Sequence, residues 1–170
     1  MNVVITLPEH LIRAIIWGEK FFEIRSKKPL RFNKNKDVVF VAEKGSKKVP
    51  LYFTIQRFLY YDGISDRKYL AKKAAVSVDY IDNYLKGKKV ICAWVIGCAC
   101  KVDYPLSLYS NLKINKNPQY FIYRDYEWRQ IAFNSYVWKT KPAYFSQKLV
   151  PILEYDNYMR SLSSAKPSTL

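Results

Sequence analysis

Gly18-Glu19-Lys20-Phe21-Phe22-Glu23-Ile24-Arg25 is the stretch on which the reading of this chain turns. Side chains alternate along an extended strand, so over Lys20 to Arg25, Phe22 and Ile24 share one face and Phe21, Glu23 and Arg25 the other. Gly18 stands where a helix takes a left-handed residue to stop. The helix it would stop is visible upstream: Leu7, Leu11, Ile12, Ile15 and Ile16 recur at helical spacing. Thr6-Leu7-Pro8-Glu9 has the capping-box pattern, with Pro8 tolerated in the first turn. Val3 to Ile5 makes a short first strand before it.

Downstream, residues 26–36 are polar and basic and read as a loop. Val38 to Ala42 is a strand, and Lys44 to Lys48 a turn containing Gly45. Leu51 to Tyr61 is an aromatic strand ending at Asp62-Gly63. Ser65 or Asp66 caps a helix to about Ala75. Ser77 caps a second, with Val78, Ile81, Tyr84 and Leu85 at helical spacing and Gly87 as its stop. Lys89 to Val102 is the longest apolar run and reads as a central strand bulged at Gly97. Pro105 is expected to begin a loop. Tyr120 to Tyr123, Ser135 to Trp138 and Leu149 to Leu153 read as strands and Asp156 to Leu162 as a short helix, before a frayed tail. The sum is an α+β domain, a small mixed β-barrel with short helices packed at its ends.

Composition narrows the function. The chain has 170 residues, enough for one domain, and 49% of them are hydrophobic, which excludes a disordered polymer. No apolar run reaches membrane-spanning length, and Glu9 interrupts the N-terminal segment where a signal peptide would be apolar. Lys and Arg number 29 against 14 Asp and Glu, a net charge of +15. Such an excess points to an anionic partner. The 15 Tyr, 9 Phe and 4 Trp favour nucleic acid among these, because aromatic rings stack bases while lysines neutralise phosphates. A membrane surface would require a basic helix with a large apolar face, and Asp66 to Ala75 is too weakly apolar. Cys92, Cys98 and Cys100 fall in one apolar stretch without the spacing of a zinc site or a disulfide framework. They read as buried reduced thiols in a cytoplasmic protein, with no metal or other cofactor implied.

The stretch from Gly18 to Arg25 resembles the G-x-K-x-x-E-x-R signature of ASCH domains, a branch of the PUA-like superfamily. The segment Leu7 to Ile15 is similar to the helix that precedes it there, and Val76 to Gly87 to the helix before the family's central strand. Tyr104 to Leu108 and Pro118 to Tyr123 are similar to segments of phage and prokaryotic ASCH proteins, in the same order. The resemblance covers residues 1–123. It implies a PUA-like barrel; beyond it, 124–160 reads as an aromatic and basic extension completing the same domain and 161–170 as a flexible tail. Family members are linked to RNA: some are believed to bind it, some cleave it, and one subgroup hydrolyses N4-acylated cytidine. That subgroup is similar in having a Thr three residues after the Lys, a position held here by Glu23.

The resemblance places a cleft beside the signature. Lys20 at the mouth of the strand suits a phosphate, or acid–base work with Glu23 if the protein is an enzyme. Arg25 offers a planar fork for a phosphate or base edge, and Glu23 an acceptor for an exocyclic amine. Trp17 and Phe21 are stacking candidates. Lys27, Lys28 and Arg31 open the densest basic segment, which runs on through Lys34, Lys36, Lys44, Lys47 and Lys48. Gln119 and Tyr120 complete the candidate interface. A further basic group is Lys86, Lys88 and Lys89, and another mixes Lys113, Lys116, Arg124, Arg129, Lys139 and Lys141 with Tyr120, Tyr123, Tyr126, Trp128, Tyr136 and Trp138. The expected function is nucleic-acid binding, RNA over DNA. Two alternatives are a hydrolase acting on RNA or a modified nucleoside, and a phage-type small protein that binds and inhibits a host complex. No Ser-His-Asp or Cys-His set is present, and His10 falls inside the first helix.

Overall fold

The computed structural model describes residues 1–86, 88 and 90–129. The expected strands at 135–138 and 149–153, the helix at 156–162, the tail, and the roles given to Gly87, Lys89, Tyr136, Trp138, Lys139 and Lys141 lie outside the described residues.

Nine elements follow in order: β1 (Asn2–Leu7), α1 (Glu9–Ile16), β2 (Phe22–Arg25), β3 (Val39–Glu43), β4 (Lys48–Asp62), α2 (Arg67–Ala74), α3 (Val78–Leu85), β5 (Val90–Ser107) and β6 (Ile122–Arg124) among the described residues. The strands form one six-stranded mixed sheet in the order β2-β5-β4-β3-β1-β6. β1 and β3 run parallel, and the other pairs are antiparallel. This is the expected α+β class. The barrel is not closed: no ladder joins β2 to β6 among the described residues. Side chains bring these ends together instead. Arg25 of β2 donates from Nη1 to the Tyr120 carbonyl at 2.8 Å, and Phe121 meets Trp94 of β5 edge-on at 5.7 Å.

Alternation builds the core. Val3, Ile5 and Leu7 of β1, Val39 and Val41 of β3, and Leu51, Phe53 and Ile55 of β4 turn inward against α1 with Trp94 and Ile96. The opposite faces bury Val4, Phe40, Ala42 and Tyr52 beneath the segment that carries Leu108, Leu112 and Trp128. β5 changes sides partway. Cys92, Trp94 and Ile96 belong to the inner cluster, whereas Cys98, Cys100 and Val102 belong to the outer one. The switch is the expected bulge: Phe53 pairs with Ala99 but Ile55 with Ile96, so β5 carries an extra residue at Gly97. One inserted residue exchanges the two faces of a strand.

Four local expectations are corrected. Thr6 does not cap α1: it belongs to β1, Pro8 takes the cap position, and Glu9 instead pairs with Arg13 one turn on. Pro105 does not begin a loop, because β5 continues to Ser107. Residues 102–105 bulge out between the Val49–Leu106 and Leu51–Lys101 pairs, opposite Pro50, so neither proline has to donate to the ladder. β4 likewise starts at Lys48 rather than Leu51. Asp66 takes the N-cap position of α2 but makes no side-chain cap bond; Ser77 does cap α3, accepting from Tyr80 N at 3.1 Å.

Candidate functional site

Gly18 ends α1 in the left-handed region at φ 73°, which lets the chain reverse and the amides of Glu19 and Lys20 donate to the Ala14 carbonyl. The reversal drives Lys20 into the interior, where it is 2% exposed. Its ammonium donates to the Phe22 carbonyl at 2.7 Å and the Ala74 carbonyl at 3.0 Å, and lies 3.1 Å from Glu23 Oε2. Burial pulls the Lys20 pKa below its usual 10.5. Glu23 opposes that pull, and the Arg25 charge adds to it.

Glu23 is buried on β2 opposite Trp94. Its Oε1 lies 2.8 Å from Arg25 Nε, but the N–H points elsewhere, so the contact is Coulombic and the Nε proton has no acceptor. Arg25 also lies over the Trp94 ring at 6.0 Å. A row of alternating charge, Lys20–Glu23–Arg25, thus leads from beneath α2 to the Tyr120 backbone.

Beside this row opens a cleft of about 750 Å³, lined by the end of β1 (Thr6, Pro8), α1 (His10, Leu11), Lys44, the turn into α3 (Ala75, Val76, Ser77), Tyr80 and the segment Asn117, Pro118, Gln119. A volume of this order suits a ligand of nucleotide size. Tyr80 links cleft and charge row. Burial, and then the Glu23 carboxylate, push its pKa above 10.0, with Arg25 acting in the opposite sense. Thr6 Oγ1 is buried without a hydrogen-bond partner. Asn117 fixes its own wall by donating to the carbonyls of Glu43 and Ser46.

The expected interface residues separate into groups. Gln119 lines the cleft. Lys20, Glu23 and Arg25 lie alongside it, and Lys20 donates to protein acceptors rather than presenting its ammonium to solvent. Tyr120 is 70% exposed next to the cleft wall. Lys27, Lys28 and Arg31 are exposed on the loop after β2, where Trp94 Nε1 donates to the Lys27 carbonyl and Arg31 lies 5.8 Å over the Tyr123 ring. Trp17 and Phe21 are exposed but not among the cleft's lining residues; Phe21 carries the Lys73 ammonium over its ring at 4.9 Å. Thr6, His10, Ser77 and Tyr80 were missed as lining. Ser77 carried a signal, but only as a helix cap; Lys44 belongs to the basic segment read from the sequence.

Among the described residues no three His, Cys, Asp or Glu side chains come together as metal ligands, and no helix is long and apolar enough to cross a membrane.

The described residues share the α+β fold of solved ASCH proteins. The ASCH protein of Zymomonas mobilis superposes with a TM-score of 0.65 over 78% of this chain and 94% of that one, at 18% identity. Its serine-to-alanine variant gives 0.66 at 18% identity, over 78% of this chain and 94% of that one. A tyrosine-to-phenylalanine variant gives 0.65 at 19%, over 78% and 96%. No family model matches the sequence, and no curated protein matches it either.

Proposed function

We propose that this protein binds nucleic acid, RNA in preference to DNA, taking one unstacked nucleotide into the cleft beside the Lys20–Glu23–Arg25 row. The observation that carries the reading is the cleft itself. It is of nucleotide size, has Lys44, His10 and the Tyr80 ring on its walls, and belongs to a chain of net charge +15. Unstacked bases are recognised by aromatic faces and hydrogen-bonding edges, and their phosphates by lysines. Tyr80 and Tyr120 supply faces, Gln119 and Thr6 supply polar edges, and Lys44 with the Lys27–Arg31 loop supplies charge. Trp17 and Phe21 are exposed aromatic rings outside the cleft.

In this reading Lys20 and Glu23 are positioning residues. The internal acceptors of the Lys20 ammonium support binding over hydrolysis. The Arg25 contact to Tyr120 ties β2 to the segment leading into β6. The test is fluorescence anisotropy with labelled oligouridylate and oligodeoxythymidylate across a salt series. Salt-dependent binding of the RNA, weaker for the DNA, is expected. Absence of binding to either at low salt overturns the reading and leaves a protein-directed inhibitor as the better one.

A further inference from the structure

Tyr80, on the wall of the cleft, has a second aromatic neighbour that the cleft does not include. Tyr84, one turn further along α3, holds its ring parallel to that of Tyr80, with 7° between the planes and 6.4 Å between centroids. The Lys88 ammonium follows at 5.3 Å from the Tyr84 ring. Positions four apart share one face of a helix, so the sequence spacing itself aligns the two rings. Lys86 ends the helix in a left-handed conformation and is exposed beside Lys88.

We infer that the Tyr80–Tyr84 ladder, closed by Lys88, is a second subsite: a stacking platform for the nucleotides that flank the one in the cleft. This rests on the proposed cleft reading and extends it from a single nucleotide to a single-stranded segment. Three features favour a nucleic-acid strand as occupant. The platform is continuous with the cleft through Tyr80. Its two parallel rings suit successive base faces, which stack without sequence preference. A cation stands at its far end, where a phosphate must run. The acidic residues of α3 do not oppose this path strongly: Asp82 faces Arg67 at 3.7 Å, and Asp79 lies in the first turn, where the helix dipole favours a negative charge.

Length dependence distinguishes this subsite from the cleft. The wild-type protein is titrated with unlabelled uridine monophosphate, sized for the cleft, and with a longer oligouridylate, each by competition against a labelled oligomer. Wild type gains affinity with length. Tyr84→Leu keeps the partly buried packing of Tyr84 but removes the ring. It is expected to bind the mononucleotide as wild type does and to lose about tenfold on the longer oligomer, the loss of one base–aromatic stack. Tyr84→Phe keeps the gain. Lys88→Gln, on an exposed side chain that folding does not need, loses part of it and covers the case in which the leucine variant does not fold. Equal affinity of wild type, Tyr84→Leu and Lys88→Gln for the longer oligomer overturns the platform while leaving the cleft intact. Failure of wild type to bind either length overturns the cleft reading and the platform with it.

Discussion

Lys20 and Glu23 form a buried ion pair three residues apart, Nζ to Oε2 at 3.1 Å, with side chains only 2% and 5% exposed. On the surface such an ion pair would contribute little, but in the interior each is held by the other's charge. The pair also ties two elements together, because Lys20 bridges the start of β2 to the end of α2 through the Ala74 carbonyl.

Removing one partner should therefore be costly. Lys20→Met leaves Glu23 buried beside Arg25 alone and is expected to lose about 3–5 kcal/mol of unfolding free energy in urea titrations, the usual cost of breaking a buried pair. The pH dependence has a definite sign. Because the folded pKa of Lys20 lies below 10.5, the unfolded chain binds more protons between those two values. Its contribution to stability therefore rises with pH through that window and is complete above 10.5. Tyr80, with its pKa raised above 10.0, works in the opposite sense, since the folded state then holds its proton longer. The difference between wild type and Lys20→Met isolates the lysine. A difference that falls with rising pH in this window would contradict the burial argument.

Gly97 gives a second prediction. A Cβ there would lie 2.6 Å from Thr54 Oγ1 and 3.3 Å from the Thr54 carbonyl. Thr54 Oγ1 cannot simply swing away, because it accepts the Cys98 amide at 2.8 Å in the bulge. Gly97→Ala should cost about 1–3 kcal/mol, as overpacking does. Adding Thr54→Ala should recover less than half of the loss, since it relieves the shorter contact but leaves the carbonyl in place and the Cys98 amide without its acceptor. Urea unfolding of the single and double variants measures both effects, and full recovery would show that the bulge does not need the threonine.

The cysteines provide a third. Cys92, Cys98 and Cys100 are all buried; burial pushes the Cys92 thiol above its usual range, and the hydrogen bond with Cys100, then burial, pushes up that of Cys98. The Cys98 and Cys100 sulfurs lie 3.9 Å apart in mutual contact. Thiolate chemistry requires access, so Ellman's reagent should label none of them in the native protein and all of them in guanidinium. Rapid labelling of the native protein would place at least one of these thiols at the surface.

The alternation of Phe22 and Ile24 against Glu23, the helical spacing of α1, its glycine stop and the bulge at Gly97 were all legible in the sequence, because each follows from local geometry. What sequence did not reveal came from longer-range terms. Lys20 reads as a surface cation until the turn at Gly18 and the Ala74 carbonyl are known to enclose it. Pro105 reads as a loop until the irregular register opposite Pro50 shows a strand that tolerates it. The barrel reading anticipated closure, but the β2–β6 ends meet through Arg25 and the Tyr120 carbonyl rather than through a ladder. The cleft draws its walls from Thr6, Lys44, Tyr80 and Asn117, residues distant in sequence that no local pattern connects.

That dispersed cleft sets the last prediction. If a base stacks on Tyr80 and a phosphate meets Lys44, the two side chains should fail in different ways. Tyr80→Phe keeps the ring and should bind oligouridylate as wild type does, whereas Tyr80→Ala should lose about 1–3 kcal/mol, the value of one base–aromatic stack. Both variants are compared with wild type at fixed salt by anisotropy. Lys44→Ala should instead weaken binding most at low salt and reduce the slope of log affinity against log salt by about 0.7, the release of counterions from one single-strand phosphate. Opposite signatures, a salt-slope change for Tyr80→Ala and none for Lys44→Ala, would place the strand elsewhere on the basic surface. The loop carrying Lys27, Lys28 and Arg31 would then be the next place to look, since all three are exposed and the loop meets Trp94 through the Lys27 carbonyl and Tyr123 through Arg31.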